Sequence, residues 1–262
     1  MPLYQRSGKW ILGAGAAVCL AGQAQPARAD LGELYVYSPI LEGAGIAEIE
    51  YRGARTFDSD PAKDNAESQK MAVGYGITDW WFVEAYGELA RDPGPGNSTH
   101  FDGTEWESIF QLTEPGEYWA NLGLIAEYER VANRRSDSDE LEFGPLLEHD
   151  FGQTTMDLNL VLTRQLGPDI TERGVSIAYR WETRWRLFPQ FQPAIEAFGD
   201  FGPVSHFSPG AQQQLLGPGF AGRFRLGFLP GDIEYDIGYL FGLTPSSPSG
   251  TAKFIIEYEF PL

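Results

Sequence analysis

The feature that most constrains this chain is a two-residue alternation between apolar and charged side chains. In its clearest instance Val175, Ile177, Tyr179, Trp181, Trp185 and Leu187 alternate with Arg180, Glu182, Arg184 and Arg186, with only Thr183 departing from the apolar set. A period of two belongs to an extended strand whose two faces meet different surroundings. The same alternation runs from Ala252 to Leu262, where Phe254, Ile256, Tyr258 and Phe260 are interleaved with Lys253, Glu257 and Glu259. It also runs from Ile233 to Phe241, interleaved with Glu234, Asp236 and Gly238.

Twelve segments read this way: 44–56, 67–78, 80–91, 101–113, 117–130, 139–149, 154–166, 174–187, 190–202, 214–228, 232–243 and 251–262. The connections between them alternate in length. Those after the even-numbered strands read as tight, at Thr78-Asp79, Glu114–Gly116, Asp150–Gly152, Phe188-Pro189 and Leu229–Gly231. Those after the odd-numbered strands read as longer and polar, as at Asp58–Asp64, Asp92–Thr99 and Thr244–Gly250. Short turns at one end, long loops at the other, and both termini on the short-turn side are the plan of a transmembrane β-barrel. The segments are long enough to cross tilted, since about 9–11 residues suffice. Closure is then compulsory, because an open edge would leave unpaired backbone groups in hydrocarbon. The fold expected is all-β: a closed antiparallel barrel of about twelve strands over residues 44–262. A soluble sandwich also alternates, but gives no reason for twelve strands joined by loops of alternating length.

Residues 1–29 read as a secretory signal. Arg6 and Lys9 precede an apolar run from Trp10 to Gly22, and Ala27-Arg28-Ala29 supplies small residues before a cut at Asp30. The run is too short to span a bilayer comfortably. The single cysteine, Cys19, lies within this leader, so disulfide and thiol chemistry are not expected of the mature chain. The net charge of −18 becomes −21 on cleavage, because Arg6, Lys9 and Arg28 leave and no acid does. So acidic a protein repels phosphate backbones, and no nucleic-acid partner is expected. Residues 30–43 are left as an N-terminal segment on the periplasmic side. Its Tyr35/Tyr37 spacing favours an extension of the first strand, with a plug of the lumen or a docking segment as alternatives.

Trp80, Trp81, Trp119 and Trp185 each lie within a few residues of a short turn. Indole prefers the headgroup zone, so they are expected to form an aromatic girdle at the periplasmic rim.

Tyr75-Gly76-Ile77-Thr78-Asp79-Trp80 forms a strand end, a tight turn and a strand start. This hairpin resembles the recurring one in bacterial outer-membrane barrels of the phenol-degradation meta-pathway transporter-like family. The last strand is similar to the assembly signal of outer-membrane barrels, although it ends on Leu262 where Phe is usual. The resemblance implies a gram-negative outer membrane, engagement of the barrel-assembly machinery and passage of small or hydrophobic compounds. It implies no catalytic residues.

If the apolar set faces lipid, the alternate set faces the lumen. Its acids include Glu48, Glu50, Glu84, Glu88, Glu105, Glu107, Glu127, Glu129, Glu140, Glu142, Glu182, Glu196, Glu234, Asp236, Glu257 and Glu259. Its bases are Arg52, Lys70, Arg180, Arg184, Arg186, Arg223, Arg225 and Lys253. The arginines of strands eight and ten form a basic strip, with Glu196 between them and acids elsewhere. Two readings follow. The ion pairs fill the lumen, as structure alone would require. Alternatively, a narrow pore with a field across it favours small cations or dipolar solutes.

The expected function is passive or facilitated passage of small solutes with a cation preference, with outer-membrane lipids and lipopolysaccharide as surroundings. A structural barrel serving an exported component is the alternative. A lipid hydrolase is a further one, for which Ser205, His206 and Ser208 on one loop are the best candidates. Asp58, Asp60 and Asp64 resemble the start of a calcium loop, but Lys63 stands where its glycine should be, so a solvated acidic loop is expected. Asp137, Asp139 and Glu140 read the same way. No phosphate-cradling loop, haem-attachment motif or zinc pattern occurs, and no cofactor is expected.

Overall fold

The computed structural model describes residues 31–132, 138–167, 170, 174–205 and 212–262. The leader and the cleavage site lie outside these residues. A short 3-10 turn (Leu31–Glu33) is followed by twelve strands. They are β1 (Ile46–Phe57), β2 (Glu67–Thr78), β3 (Trp81–Arg91), β4 (His100–Gln111), β5 (Asn121–Val131) and β6 (Asp139–Phe151). β7 (Thr154–Leu166), β8 (Ser176–Trp185), β9 (Gln192–Pro203), β10 (Gln213–Phe224), β11 (Asp232–Gly242) and β12 (Gly250–Pro261) follow. Each pairs antiparallel with its sequence neighbours, and β1 pairs with β12 to close the barrel. The closing seam runs from Ile46 opposite Pro261 to Phe57 opposite Gly250, and the Leu262 N–H donates to the Gly45 carbonyl at 3.0 Å.

The two faces separate as the alternation requires. Ile49, Met71, Val73, Trp106, Ile195, Ile237 and Ile256 are exposed on the outside. Glu50, Arg52, Lys70, Glu105, Arg180, Glu182, Glu196 and Lys253 are buried inside. Close packing in the wall depends on particular glycines. A Cβ on Gly217 of β10 would lie 1.9 Å from the Tyr239 backbone carbonyl oxygen of β11, so only glycine fits there. Gly231, at φ +90°, makes the left-handed bend into β11.

Two expectations need correcting. Three of the five tight turns are longer than read: the chain leaves the ladder over 112–120, 186–191 and 225–231. Each contains a proline (Pro115, Pro189, Pro230), which has no N–H to give to a ladder. Only the turns after β2 and β6 have the two-residue form.

The second correction concerns residues 31–43. They neither extend β1 nor lie outside the barrel; beyond the 3-10 turn they form no regular element and run through the lumen. The reason is visible in the inward face, which is not polar throughout. Ala54, Phe198, Leu215 and Leu240, towards the long-loop end, form a buried cluster with Leu31 and Leu34. Phe82, Ile109, Ile125 and Leu146, towards the short-turn end, form another around Tyr37. These inner apolar patches need an apolar partner, and the segment supplies it.

Candidate functional site: the charged lumen and the segment within it

The segment is held along its length. Near its start, the Lys70 ammonium meets Glu33 Oε1 at 2.6 Å, and Arg180 pairs with Glu33 Oε2. The Arg52 guanidinium lies 3.9 Å from the centre of the Tyr35 ring. Tyr37, 1% exposed, is gripped from three sides. Its N–H donates to Asn159 Oδ1 at 2.8 Å, and Asn159 Nδ2 donates back to its carbonyl at 2.8 Å. Its hydroxyl donates to Glu107 Oε2 at 2.6 Å and accepts from Arg52 Nη1 at 3.0 Å. Ser38 Oγ then donates to Glu148 Oε2 at 2.9 Å, and the Leu41 N–H donates to Gln111 Oε1 at 2.9 Å. Glu42 receives Arg223 Nη2 at 2.6 Å at the short-turn mouth.

The expected basic strip is present as residues but not as a bare surface. On β8, Arg180 joins Glu142 at 2.9 Å, and Arg184 joins Glu182 at 2.7 Å and Asp157 at 3.3 Å. Arg186, just past the end of β8, pairs with Asp150 and donates to Thr155 Oγ1 at 2.7 Å. On β10, Arg223 reaches Glu234 and, at 3.4 Å, Glu259. Arg225 lies outside the lumen proper: it is 75% exposed at the rim and paired with Asp232 at 2.9 Å. Lys253 sits between Glu196 at 2.6 Å and Asp236 at 2.8 Å. Acids on the same strand or one or two strands away thus match the arginines.

The acids of β3–β6 are not matched in that way. In register, Glu84 faces Glu107, Glu105 faces Glu129, and Glu127 faces both Glu107 and Glu142. Like charges directly opposite each other destabilise a ladder. Glu105 Oε1, Glu107 Oε1 and Glu127 Oε2 are buried with no hydrogen-bond partner. On the other side of the seam, Glu257 faces Glu50 and Glu234. Sequence reasoning placed these acids inward but gave Arg52 and Lys70 no special weight. Both turn out to be central, because they meet the segment as well as the wall. A signal was available: followed strand by strand, the phase carrying glutamates turns apolar at Phe82, Ile109, Ile125 and Leu146.

Of the expected girdle, Trp80, Trp119 and Trp185 are exposed at the short-turn end, Trp119 at 74%. Trp81 is half-buried and stacks on Phe110 with ring centres 6.0 Å apart. Of the catalytic candidates, Ser205 is exposed, while His206 and Ser208 lie outside the described residues. The Asp58–Asp64 loop spends its oxygens internally. Asp58 accepts from the N–H of Asp60 at 2.8 Å and of Ser249 at 2.7 Å, and Asp64 accepts from the N–H of Asp58 at 3.0 Å. Asp139 is engaged by Tyr128 and Val131, and Asp137 lies outside the described residues.

No family model matches the chain, and no curated protein matches it. Among solved structures it is similar to a KdgM porin, with a TM-score of 0.52 at 6% identity over 82% of this chain and 99% of that one. It also aligns with a bacterial polysaccharide outer membrane secretin, with a TM-score of 0.41 at 9% identity over 83% of this chain and 99% of that one. An alignment with the CymD monoaromatic hydrocarbon channel has a TM-score of 0.39 at 9% identity, over 84% of this chain and 89% of that one. The first of these carries the shared fold. A closed twelve-stranded barrel with an apolar exterior and a charged interior is a protein of the outer membrane.

Proposed function

We propose that the barrel passes small solutes across the outer membrane, preferring cations, by a path along the lumen that residues 31–42 restrict. The observation that carries this reading is the inward face itself: a continuous acid excess over β3–β6 and around the β1–β12 seam, inside a low-dielectric wall that strengthens its field. A barrel whose interior served packing alone would fill it with apolar or balanced side chains. The KdgM structure is named a porin, which accords with the reading. The resemblance of the hairpin at Tyr75–Trp80 extends the proposed solute class to small hydrophobic compounds.

Purified protein in a planar bilayer tests this. Single-channel current should appear, and under a potassium chloride gradient the reversal potential should have the sign of cation flow. Absence of current across salts and voltages sinks the reading; anion-signed reversal sinks the preference. Deleting residues 31–41 should raise the conductance.

A second reading has its own observation. Tyr37 and the ion pairs around Glu33 fill the middle of the lumen, as in a barrel that serves as a scaffold for an exported component. A deletion that leaves the protein non-conducting favours it. Lipopolysaccharide and outer-membrane lipid are the surroundings under either reading.

A further inference from the structure

We propose that Glu33, Glu105 and Glu127 bind a divalent cation, calcium by preference, which fastens the lumenal segment to the β4–β5 wall. One carboxylate oxygen from each lies within 4.8 Å of the other two. Ligands sharing a calcium ion at about 2.3–2.6 Å span about that distance. The three come from separate elements: the 3-10 turn, β4 and β5.

A second observation singles this cluster out. Glu127 is 4% exposed and makes no hydrogen bond and no ion pair, and its Oε2 is buried beside the other two carboxylates. Glu105, at 0% exposure, gives one oxygen to Lys70 and leaves Oε1 without a partner. A buried ionised carboxylate is not left unpaired. The other carboxylate triads differ. Cations reach parts of all four groups, and Lys70 contacts Glu33 and Glu105 here. But Glu182, Glu196 and Asp236 each meet Arg184 or Lys253, Glu42, Glu234 and Glu259 each meet Arg223, and Glu50 meets Arg52, whereas no cation among the described residues touches Glu127.

The local charges point the same way. Lys70 contacts Glu33 and Glu105 and Arg180 contacts Glu33, but neither reaches Glu127. A dication beside Glu127 supplies the counter-charge it lacks. Calcium suits the site better than magnesium, because long side chains from three elements give irregular geometry, which calcium tolerates and magnesium does not. Glu33 already engages Lys70 and Arg180, and each of its oxygens keeps a second lone pair for the ion. Because Glu33 rides on the segment, the site exists only while the segment is seated.

The experiment uses the full chain folded in detergent and stripped with EDTA. Calcium chloride is titrated in by calorimetry and checked by equilibrium dialysis. One saturable site per chain is expected, with Glu127→Gln weakening it about ten-fold or more. Asp58→Asn, in the outer loop, should leave it unchanged. If Glu127→Gln does not fold, Glu33→Gln takes its place with the same expectation. Calcium that fails to bind the parent protein overturns the proposal, as does binding equal to the parent's in the folded variants. So does an infrared carbonyl band of a protonated acid that persists in saturating calcium and vanishes in Glu127→Gln, since a proton would then occupy the position. Binding is read without current, so a non-conducting barrel still tests it, and a conducting barrel that ignores calcium defeats this inference alone.

Discussion

The β8 side of the lumen and the β4–β6 side treat their charged side chains in opposite ways. On β8, Arg184 finds acids on its own strand and on β7, and Arg180 reaches across β7 to Glu142 on β6. On β4–β6, glutamate faces glutamate across the ladder, and Glu127 has no partner of opposite sign. Paired charges fix a geometry, whereas an excess of one sign holds a field. Under the proposed function, the first side holds and the second attracts.

Substitutions should break or sharpen this contrast. Arg180→Met removes one partner each from Glu33 and Glu142, and breaking a buried pair from one side costs about 3–5 kcal/mol. Urea unfolding in lipid vesicles measures it, and a loss below about 1 kcal/mol would mean that the β8 pairs hold little. Tyr37→Phe comes next. It strips a donor from Glu107 and an acceptor from Arg52, for about 1–3 kcal/mol, and it should also raise conductance in the bilayer assay. Glu127→Gln should act in the opposite direction. In EDTA, relief of like-charge repulsion should stabilise the barrel by about 0.2–1 kcal/mol, and a destabilised variant would erase the contrast.

The smallest effect is expected outside the membrane. The N–H of Asp60 and the hydroxyl and N–H of Ser249 hold the Asp58 carboxyl down at about 2, against an ordinary value of 3.8. A depressed carboxylate stabilises above its unfolded value and loses that contribution as pH falls through its folded value. The link between loops 58–66 and 243–249 should therefore loosen between about pH 4 and pH 2. Amide hydrogen exchange at Ser249 reads this, and protection unchanged down to pH 2 would contradict it.

The outward face of the barrel was legible in the sequence because hydrocarbon enforces strict alternation on every strand. Ile237 and Ile256 needed no tertiary information to be placed. The prolines that lengthen three turns were visible too, but reading a proline as the centre of a tight turn hid its effect on the ladder. The lumenal segment was not legible. Its Tyr35/Tyr37 spacing favoured a strand over the plug, and its partners are remote: Asn159, which clasps Tyr37, is 122 residues away. Only the inner patches pointed to it, and Phe82, Ile109, Ile125 and Leu146 pass for ordinary strand residues until they are sorted by phase. Glu127 was placed correctly as an inward acid; that it lacks a partner follows from three strands at once.

The seam between β1 and β12 has a temporal consequence. Ile46 meets Pro261, so the first wall residue stays unmatched until almost the last has been synthesised. Residues 31–42 lie within the ring that this pairing completes. Closure of the ring therefore waits on the far end of the chain, as the staves of a cask wait on the hoop.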